Sequence, residues 1–205
     1  KMCRQESLCT PHIYDLNEYI GTGIHEMTIC VSNVGYKTKG GHLTSPDTQT
    51  NWNGITGRIE LIGYKNAHAE NVMLWCDIHS KTVRVTADIT GGKGGKAVIS
   101  AESFNSEKNH TPAVQSFEYT NGKLDALYKM GDDCLLWSEH EPNLYKLRID
   151  IDGDMSEHII GMREFNTEGG KFTINGEKTF LRGKHDGMIF PRTAFAPTDL
   201  DEWLR

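Results

Sequence analysis

The 205-residue sequence predicts a mainly β protein with an immunoglobulin-like β-sandwich at its centre. Several short runs between residues 64 and 165 alternate polar and apolar residues, which indicates strands buried on one face. Turn-forming pairs separate these runs at Gly91-Gly92, Asn121-Gly122 and Asp152-Gly153. The chain contains 21 glycines and 6 prolines, and the glycines lie in short clusters. This combination is typical of short antiparallel strands joined by tight turns.

Three runs of the central segment predict which side chains face the core. Every second residue in each run is apolar or small, so these residues share one face of an extended strand. The inward sets are Val72, Leu74, Cys76 and Ile78; Val83, Val85, Ala87 and Ile89; and Tyr145, Leu147, Ile149 and Ile151.

The flanking segments, 1–63 and 166–205, differ from the centre. The first contains two strand-like runs, MTICVSNV and GRIELIG, around the polar stretch Tyr36–Asn53. The second predicts a hairpin turning at Asn175-Gly176, a strand at Thr179–Arg182 and a helix start with Thr198 as N-cap. Strand, loop and helix start form the opening unit of a β/α fold.

Charge and composition exclude several functions. The chain has 22 basic and 28 acidic residues, a formal charge of -6, which argues against a nucleic-acid partner. It has no polybasic patch and no apolar run near the roughly 20 residues of a membrane span, so we expect no membrane partner. Its nine histidines show no metal-ligand spacing, so we expect no metal and no cofactor. The Gly91–Lys96 run, GGKGGK, lacks phosphate-loop spacing and predicts a plain hairpin loop.

The five cysteines do not form a disulfide pattern. Their number is odd, no CxxC occurs, and Cys30 and Cys76 lie in apolar runs, which predicts buried free thiols. The cysteines do not indicate a cellular compartment. A periplasmic or secreted location is favoured over the cytoplasm if the parent protein degrades external glycans.

The loop around Trp52 is a candidate sugar-binding segment. It brings Gln49, Asn51 and Trp52 together between two strand-like runs. Amide groups bind sugar hydroxyls, and an indole ring packs on the apolar face of a sugar. The alternative is an ordered structural loop whose amides bond the backbone.

The pair His185 and Asp186 is a second candidate. It follows the predicted strand Thr179–Arg182 directly. If this strand is the first of a β/α barrel, the pair lies at the strand's C-terminal end, where barrel active sites form. The alternative is a turn with a solvated His-Asp pair.

Three ordered motifs resemble glycoside hydrolase family 2, the family of β-galactosidases, β-glucuronidases and β-mannosidases. They are NWNGITGRIEL at 51–61, LWSEHEPNLY at Leu136–Tyr145 and GMREFNTEGGKFTINGEKTFLRG at Gly161–Gly183. The resemblance covers essentially the whole chain. It implies a retaining exo-glycosidase with a carbohydrate substrate.

The resemblance also implies an architecture. Residues 1–63 would be the C-terminal part of a jelly-roll sugar-binding domain, 64–165 an immunoglobulin-like sandwich, and 166–205 the start of a truncated (β/α)₈ barrel. A whole barrel takes about 250 residues. The catalytic glutamates would therefore lie beyond Arg205, no catalytic residue is assigned, and the isolated chain is expected to be inactive. Gly187 stands at the family's histidine position, which implies a less common branch.

Two other functions compete with a glycosidase fragment. One is a stand-alone carbohydrate-binding or adhesive sandwich, and the other is a structural spacer. The FLRGKHD segment at 180–186 favours the glycosidase, because a free-standing module does not need a barrel-like unit. A barrel strand without partners would leave Phe180 and Leu181 exposed, so we also expect association into homo-oligomers.

Overall fold

The computed structural model describes residues 3–7, 10–32, 54–55, 57–183, 192, 197 and 199–204. Contacts within the chain define two units, one formed by 61–183 and the other by 1–60 with 184–205. Within the described residues, every strand lies in the 61–183 unit. The chain is mainly β, as its alternating pattern predicts.

Seven strands of the 61–183 unit form one sheet with the order β1-β2-β5-β4-β3-β6-β7. All of its strand pairs are antiparallel. The bounds are β1 His68–Asp77, β2 Thr82–Thr90, β3 Gly94–Ser103, β4 Gln115–Thr120, β5 Lys123–Lys129, β6 Tyr145–Ile151 and β7 Asp154–Ile160. A smaller sheet follows, in the order β10-β9-β8, with β8 Phe165–Glu168, β9 Lys171–Ile174 and β10 Glu177–Lys178.

The large sheet is divided at the contact between β4 and β5. These strands share one residue pair, Thr120 with Lys123, next to the turn that joins them. On one side lie β1, β2 and β5, and on the other β4, β3, β6 and β7. Strand β1 also lies against β6 and β7, although it pairs with neither. The two halves therefore fold over one another in a sandwich-like arrangement.

One hydrophobic core fills the space between the halves. The predicted inward residues of β2 and β6 are buried, and the four from β6 are completely inaccessible to solvent. The set predicted for β1 is half-buried, and Val72, Leu74 and Cys76 pack against the same core. Burying an aliphatic side chain contributes about 1.5–3 kcal/mol, so the alternating faces account for the sandwich.

Three hairpin turns use residues with positive φ, as the sequence predicts. Each has two central residues, Asn121-Gly122, Asp152-Gly153 and Asn175-Gly176, with φ between 52° and 86°. This conformation matches the right-handed twist of paired strands and favours Asn, Asp and Gly. The turns fix the registers of β4–β5, β6–β7 and β9–β10.

The prediction of a plain hairpin loop at GGKGGK is wrong. Strands β2 and β3 are not neighbours in the sheet, so the loop crosses from one half of the sandwich to the other. Gly94 and Gly95 are part of β3 and pair with β4. A Cβ at Gly92 or Gly95 would lie 2.6 or 2.8 Å from the Tyr119 hydroxyl oxygen. The glycines therefore leave space for a buried tyrosine at the crossing.

The strand predicted at Thr179–Arg182 is replaced by the short strand Glu177–Lys178. Thr179 still donates its backbone N–H to Phe172, at 3.0 Å. No strand of the described chain pairs with the residues that follow, up to Gly183. A strand is defined by its hydrogen-bonded neighbour, so these residues remain outside the sheet.

The described residues of the run MTICVSNV, in the other unit, and of GRIELIG, which crosses the boundary at residue 61, form no strand. Ile24, Ile29 and Ile59 are exposed, as is Cys30, which the sequence predicts to be buried. Alternation alone does not produce a strand where no neighbouring strand completes its hydrogen bonds. The unit contains the helix α1, Leu200–Leu204, which carries no buried residue.

Helix α1 begins one residue later than predicted. The Asp199 carboxylate accepts the backbone N–H of Asp201 at 2.9 Å and caps the helix. The predicted N-cap, Thr198, lies outside the described residues. Within the described chain, no helix has the length and apolar character needed to cross a membrane.

We expect Gly122→Ala to destabilise the 61–183 unit more than Gly153→Ala. Both glycines have positive φ, which disfavours alanine by about 1–2 kcal/mol. A Cβ at Gly122 would also lie 3.2 Å from the Ile89 carbonyl oxygen, whereas nothing lies within 4 Å of one at Gly153. Urea unfolding of both variants measures the difference, and equal losses would contradict the close contact at Gly122.

Candidate functional site

The residues that the sequence predicts to bind sugar lie outside the described residues. This applies to Gln49, Asn51 and Trp52 and to His185 and Asp186. The LWSEHEPNLY motif, in contrast, is fully described. We refer to residues 134–144 as the motif loop. It joins β5 to β6 and lies at the end of the sandwich from which the chain continues toward His185.

Trp137 anchors the motif loop to the segment between β7 and β8. Its backbone N–H donates to the Met162 carbonyl oxygen at 2.9 Å, and the Arg163 guanidinium lies 4.7 Å from the centre of its ring. A Cβ at Gly161 would lie 3.2 Å from the Trp137 side chain. The Gly-Met-Arg sequence therefore provides a close approach, a buried anchor and a cation over the indole.

Asn175 connects the motif loop to the hairpin of the small sheet. Its side-chain N–H donates to the Trp137 carbonyl oxygen at 2.9 Å. Its side-chain oxygen accepts the Glu164 backbone N–H at 2.9 Å, and its own N–H returns a bond to the Glu164 carbonyl. One turn residue thus fixes β9–β10 against the motif loop and against Glu164, the residue before β8.

Two further asparagines hold the rest of the motif loop. Asn143 donates its side-chain N–H to the Leu136 carbonyl at 2.9 Å. Asn105 donates to the Pro142 carbonyl at 2.7 Å and accepts the Leu144 N–H at 2.8 Å. These amides satisfy backbone groups that no strand could pair, as a loop at the end of a sandwich requires.

The Tyr145 hydroxyl forms the inner attachment of the motif loop. It accepts the Leu135 backbone N–H at 2.8 Å and lies 2.7 Å from Nδ1 of His110. Tyr145 is fully buried, and this burial raises the pKa of its hydroxyl well above the ordinary value. The hydroxyl stays protonated and donates to His110 when the ring is neutral.

Two half-buried thiols lie beside this attachment. Burial raises the pKa of Cys76 to about 11, and the nearby Cys134 adds to the effect. Burial also raises the pKa of Cys134. Because the thiolate is the reactive form, both residues act as small apolar groups rather than nucleophiles.

Carboxylates on the surface of this end lie next to basic side chains. Glu139 lies 3.4 Å from Arg182 and 3.5 Å from His140, and Glu164 lies 3.4 Å from His79. The described residues include no group of three or more side chains that could hold a metal ion.

Comparison with known proteins agrees with the motifs. The family model described as glycosyl hydrolases family 2 matches residues 67–163, which include all seven strands of the large sheet. A β-galactosidase of Leuconostoc mesenteroides subsp. mesenteroides is 23% identical over 194 residues, which cover 86% of this chain and 18% of the relative. One of Halalkalibacterium halodurans is 25% identical over 207 residues, with 96% and 20% covered.

Among solved structures, a Faecalibacterium prausnitzii β-glucuronidase aligns over 57% of this chain and 18% of its own, with 16% identity and a TM-score of 0.44. The chain spans about a fifth of the length of the curated relatives that it matches. The mainly β fold and the ordered motifs define a domain of the glycosidase type. Residues 67–163 match the model of glycosyl hydrolases family 2, and the β-galactosidase relatives support a fragment of that family.

Sequence analysis found the motifs but missed the residues that join them. The sequence indicates only a turn at Asn175. Nothing in it predicts that Asn105 or His110 contacts the motif loop. The Asn-Gly pair predicts a turn, but it does not indicate a bond to Trp137, which lies 38 residues away. Such contacts depend on the close approach of two loops.

We expect Asn175→Ala to destabilise the 61–183 unit by about 1–3 kcal/mol more than Asn121→Ala. Both asparagines occupy the first position of an Asn-Gly turn, with φ of 53° and 52°. Asn175 also makes the side-chain bonds to Trp137 and Glu164, so the difference isolates their contribution. Urea unfolding measures it, and equal losses would contradict the bridging role.

We also expect stability to fall as pH drops below about 6.5, the ordinary pKa of histidine. Burial lowers the pKa of His110 in the folded chain, against a smaller opposite effect of Asp133. The unfolded chain therefore binds the proton more readily, and stability is lost from about 6.5 down to the folded pKa. Burial lowers the pKa of His158 as well, so it contributes a background in the same direction.

The test compares the wild type with His110→Gln, which cannot titrate. Unfolding free energies measured between about pH 5 and 8 should change less with pH in the variant. Parallel curves would show that protonation of His110 is not coupled to folding.

Proposed function

We propose that this chain is a non-catalytic β-domain portion of a retaining, β-galactosidase-like exo-glycosidase that hydrolyses O-glycosidic bonds in carbohydrates. The observation that carries the proposal is the match of residues 67–163 to glycosyl hydrolases family 2. The β-galactosidase relatives align over most of this chain but are about five times longer. Such a relation fits a chain that contains accessory domains of a larger enzyme.

The proposed architecture has three parts. Residues 64–165 are an immunoglobulin-like sandwich, supported by the grouping of β1, β2 and β5 opposite β4, β3, β6 and β7. Residues 1–63 are the C-terminal part of a jelly-roll sugar-binding domain. Residues 166–205 begin a (β/α)₈ barrel, supported by the hairpin at Asn175-Gly176 and the helix start at Asp199.

The proposed chemistry divides between this chain and the rest of the parent protein. A retaining glycosidase uses two carboxylates about 5–5.5 Å apart, one as nucleophile and one as acid and base. By the family resemblance, both are glutamates of later barrel strands. This chain would supply contacts to the carbohydrate substrate from two places. One is Gln49, Asn51 and Trp52, and the other is His185 and Asp186.

In this proposal the motif loop orients the segment that precedes His185. Asn175 fixes the hairpin on the Trp137 carbonyl, and Arg182 lies 3.4 Å from Glu139 of the loop. Two residues separate Arg182 from His185. A fixed start to this segment reduces the freedom that binding must otherwise remove.

The first experiment compares this chain with a form extended through its native reading frame, using aryl β-galactosides, β-glucuronides and β-mannosides. We expect hydrolysis by the extended form alone, since the carboxylate pair is proposed to lie beyond Arg205. Activity of the 205-residue chain would overturn the non-catalytic assignment. Inactivity of both forms would favour a stand-alone carbohydrate-binding module.

A second experiment tests the substrate contacts in the extended form. We expect Trp52→Ala to lower kcat/KM by at least about tenfold, the effect of losing a stacked aromatic ring. Met155→Ala is the control, because Met155 is an exposed apolar residue on β7 of the sandwich and is not one of the predicted substrate contacts. Equal effects of the two substitutions would argue against a specific role for Trp52.

A further inference from the structure

The outer face of β1, β2 and β5 carries an exposed row of side chains that includes one indole ring. Trp75, Arg84 and Leu127 lie opposite one another on the three strands. Their neighbours in sequence, such as Val83 and Ala126, are buried, so the row points away from the core. Trp75 is 46% exposed and Leu127 54% exposed. We refer to this surface as the Trp75 face.

The Trp75 face has a second row, two residues further along the strands. Met73, Thr86 and Asp125 lie opposite one another, and Met73 is 55% exposed. Asp125 accepts two bonds from the Arg84 guanidinium, at 2.9 and 2.7 Å. The Arg84 guanidinium carbon lies 5.7 Å from the centre of the Trp75 ring. The carboxylate thus fixes a planar cation beside an exposed indole.

An irregularity in β1 extends the polar part of the face. The register shifts by one residue between Glu70 and Met73, where Asn71 has a positive φ of 50°. This bulge brings the Asn71 amide to 2.9 Å from Asp88, which also binds Lys123 at 2.5 Å. Arg84 and Asp88 are four residues apart, so the strip from Trp75 to Asp88 runs for ~14 Å along the strands.

Charge on this strip is balanced internally. Arg84 is paired with Asp125, and Lys123 is paired with Asp88. The pairing holds the pKa of both carboxyl groups below the ordinary value, so they stay ionised and bound to their cations. A polyanion or a polycation would have to displace one partner of each pair. A neutral ligand with many hydroxyl groups would not.

We propose that the Trp75 face is a binding surface for a neutral polysaccharide. The indole ring stacks on the apolar face of a pyranose, and Met73 and Leu127 extend the apolar contact. The Arg84–Asp125 and Lys123–Asp88 pairs, together with the Asn71 amide, supply fixed donors and acceptors for hydroxyl groups. The strip is longer than one sugar ring, which favours a polymer over a monosaccharide.

This surface differs from the proposed substrate contacts around Trp52. It lies on regular strands of the sandwich and requires no barrel. It would hold the chain on a polymer rather than present a bond for cleavage. Its test therefore uses binding by the 205-residue chain, and neither result depends on glycosidase activity.

The experiment is affinity gel electrophoresis of the full chain in gels that contain soluble galactomannan, mixed-linkage β-glucan or polygalacturonate. We expect one of the neutral polymers to retard the wild type, and polygalacturonate to have no effect. Trp75→Ala should weaken the retardation at least about tenfold, and Trp75→Phe, which keeps a ring, should weaken it less.

A matched variant separates this surface from the rest of the chain. Met155→Ala removes an exposed apolar side chain from β7, on the other half of the sandwich, and should bind like the wild type. Circular dichroism and thermal unfolding confirm that each variant is folded.

Three results would overturn the proposal. The first is no retardation by either neutral polymer, and the second is equal retardation of the wild type and Trp75→Ala. The third is size-exclusion chromatography that shows a dimer of the wild type which Trp75→Ala dissociates. That outcome would assign the Trp75 face to a second copy of this chain.

Discussion

The structure of the 61–183 unit depends on burying one face of the strands of the large sheet in the same core. Residues from β2 and β5 meet residues from β3 and β6, and all of them belong to one cluster. Because the side chains of a strand alternate, the same constraint decides which residues face the solvent. The Trp75 face and the motif loop occupy positions that this burial leaves free.

The sequence predicted where the strands of this unit lie better than it predicted which strands pair with each other. The inward residues of β2 and β6 and the three Asn-Gly or Asp-Gly turns follow from local alternation and local turn chemistry. The crossing at GGKGGK was missed because whether two successive strands pair is decided by the whole sheet. The predicted strands at MTICVSNV and GRIELIG are not strands in the described residues.

For the site, the sequence identified a family through its motifs but assigned no roles within them. The contacts around Trp137 show that the motif residues support one another. Gly161 leaves space for the Trp137 side chain, the Arg163 guanidinium lies over its ring, and the Asn175 side chain donates to its carbonyl oxygen. A sequence motif does not specify which loops lie next to each other in the folded chain. The predicted sugar contacts Gln49, Asn51, Trp52, His185 and Asp186 stay predictions, since they lie outside the described residues.

The order of strands in the large sheet also affects how the chain must fold. Strand β3 pairs with β6, so that Ile99 lies opposite Ile149, and β1 meets β7 only across the core. Pairings between such distant residues make folding slow, on the order of milliseconds to seconds. During synthesis the sandwich cannot close before Ile160 has left the ribosome, and until then the apolar faces of β2 and β5 remain uncovered. A chaperone that binds emerging apolar segments would therefore have its longest opportunity at the first half of this sandwich.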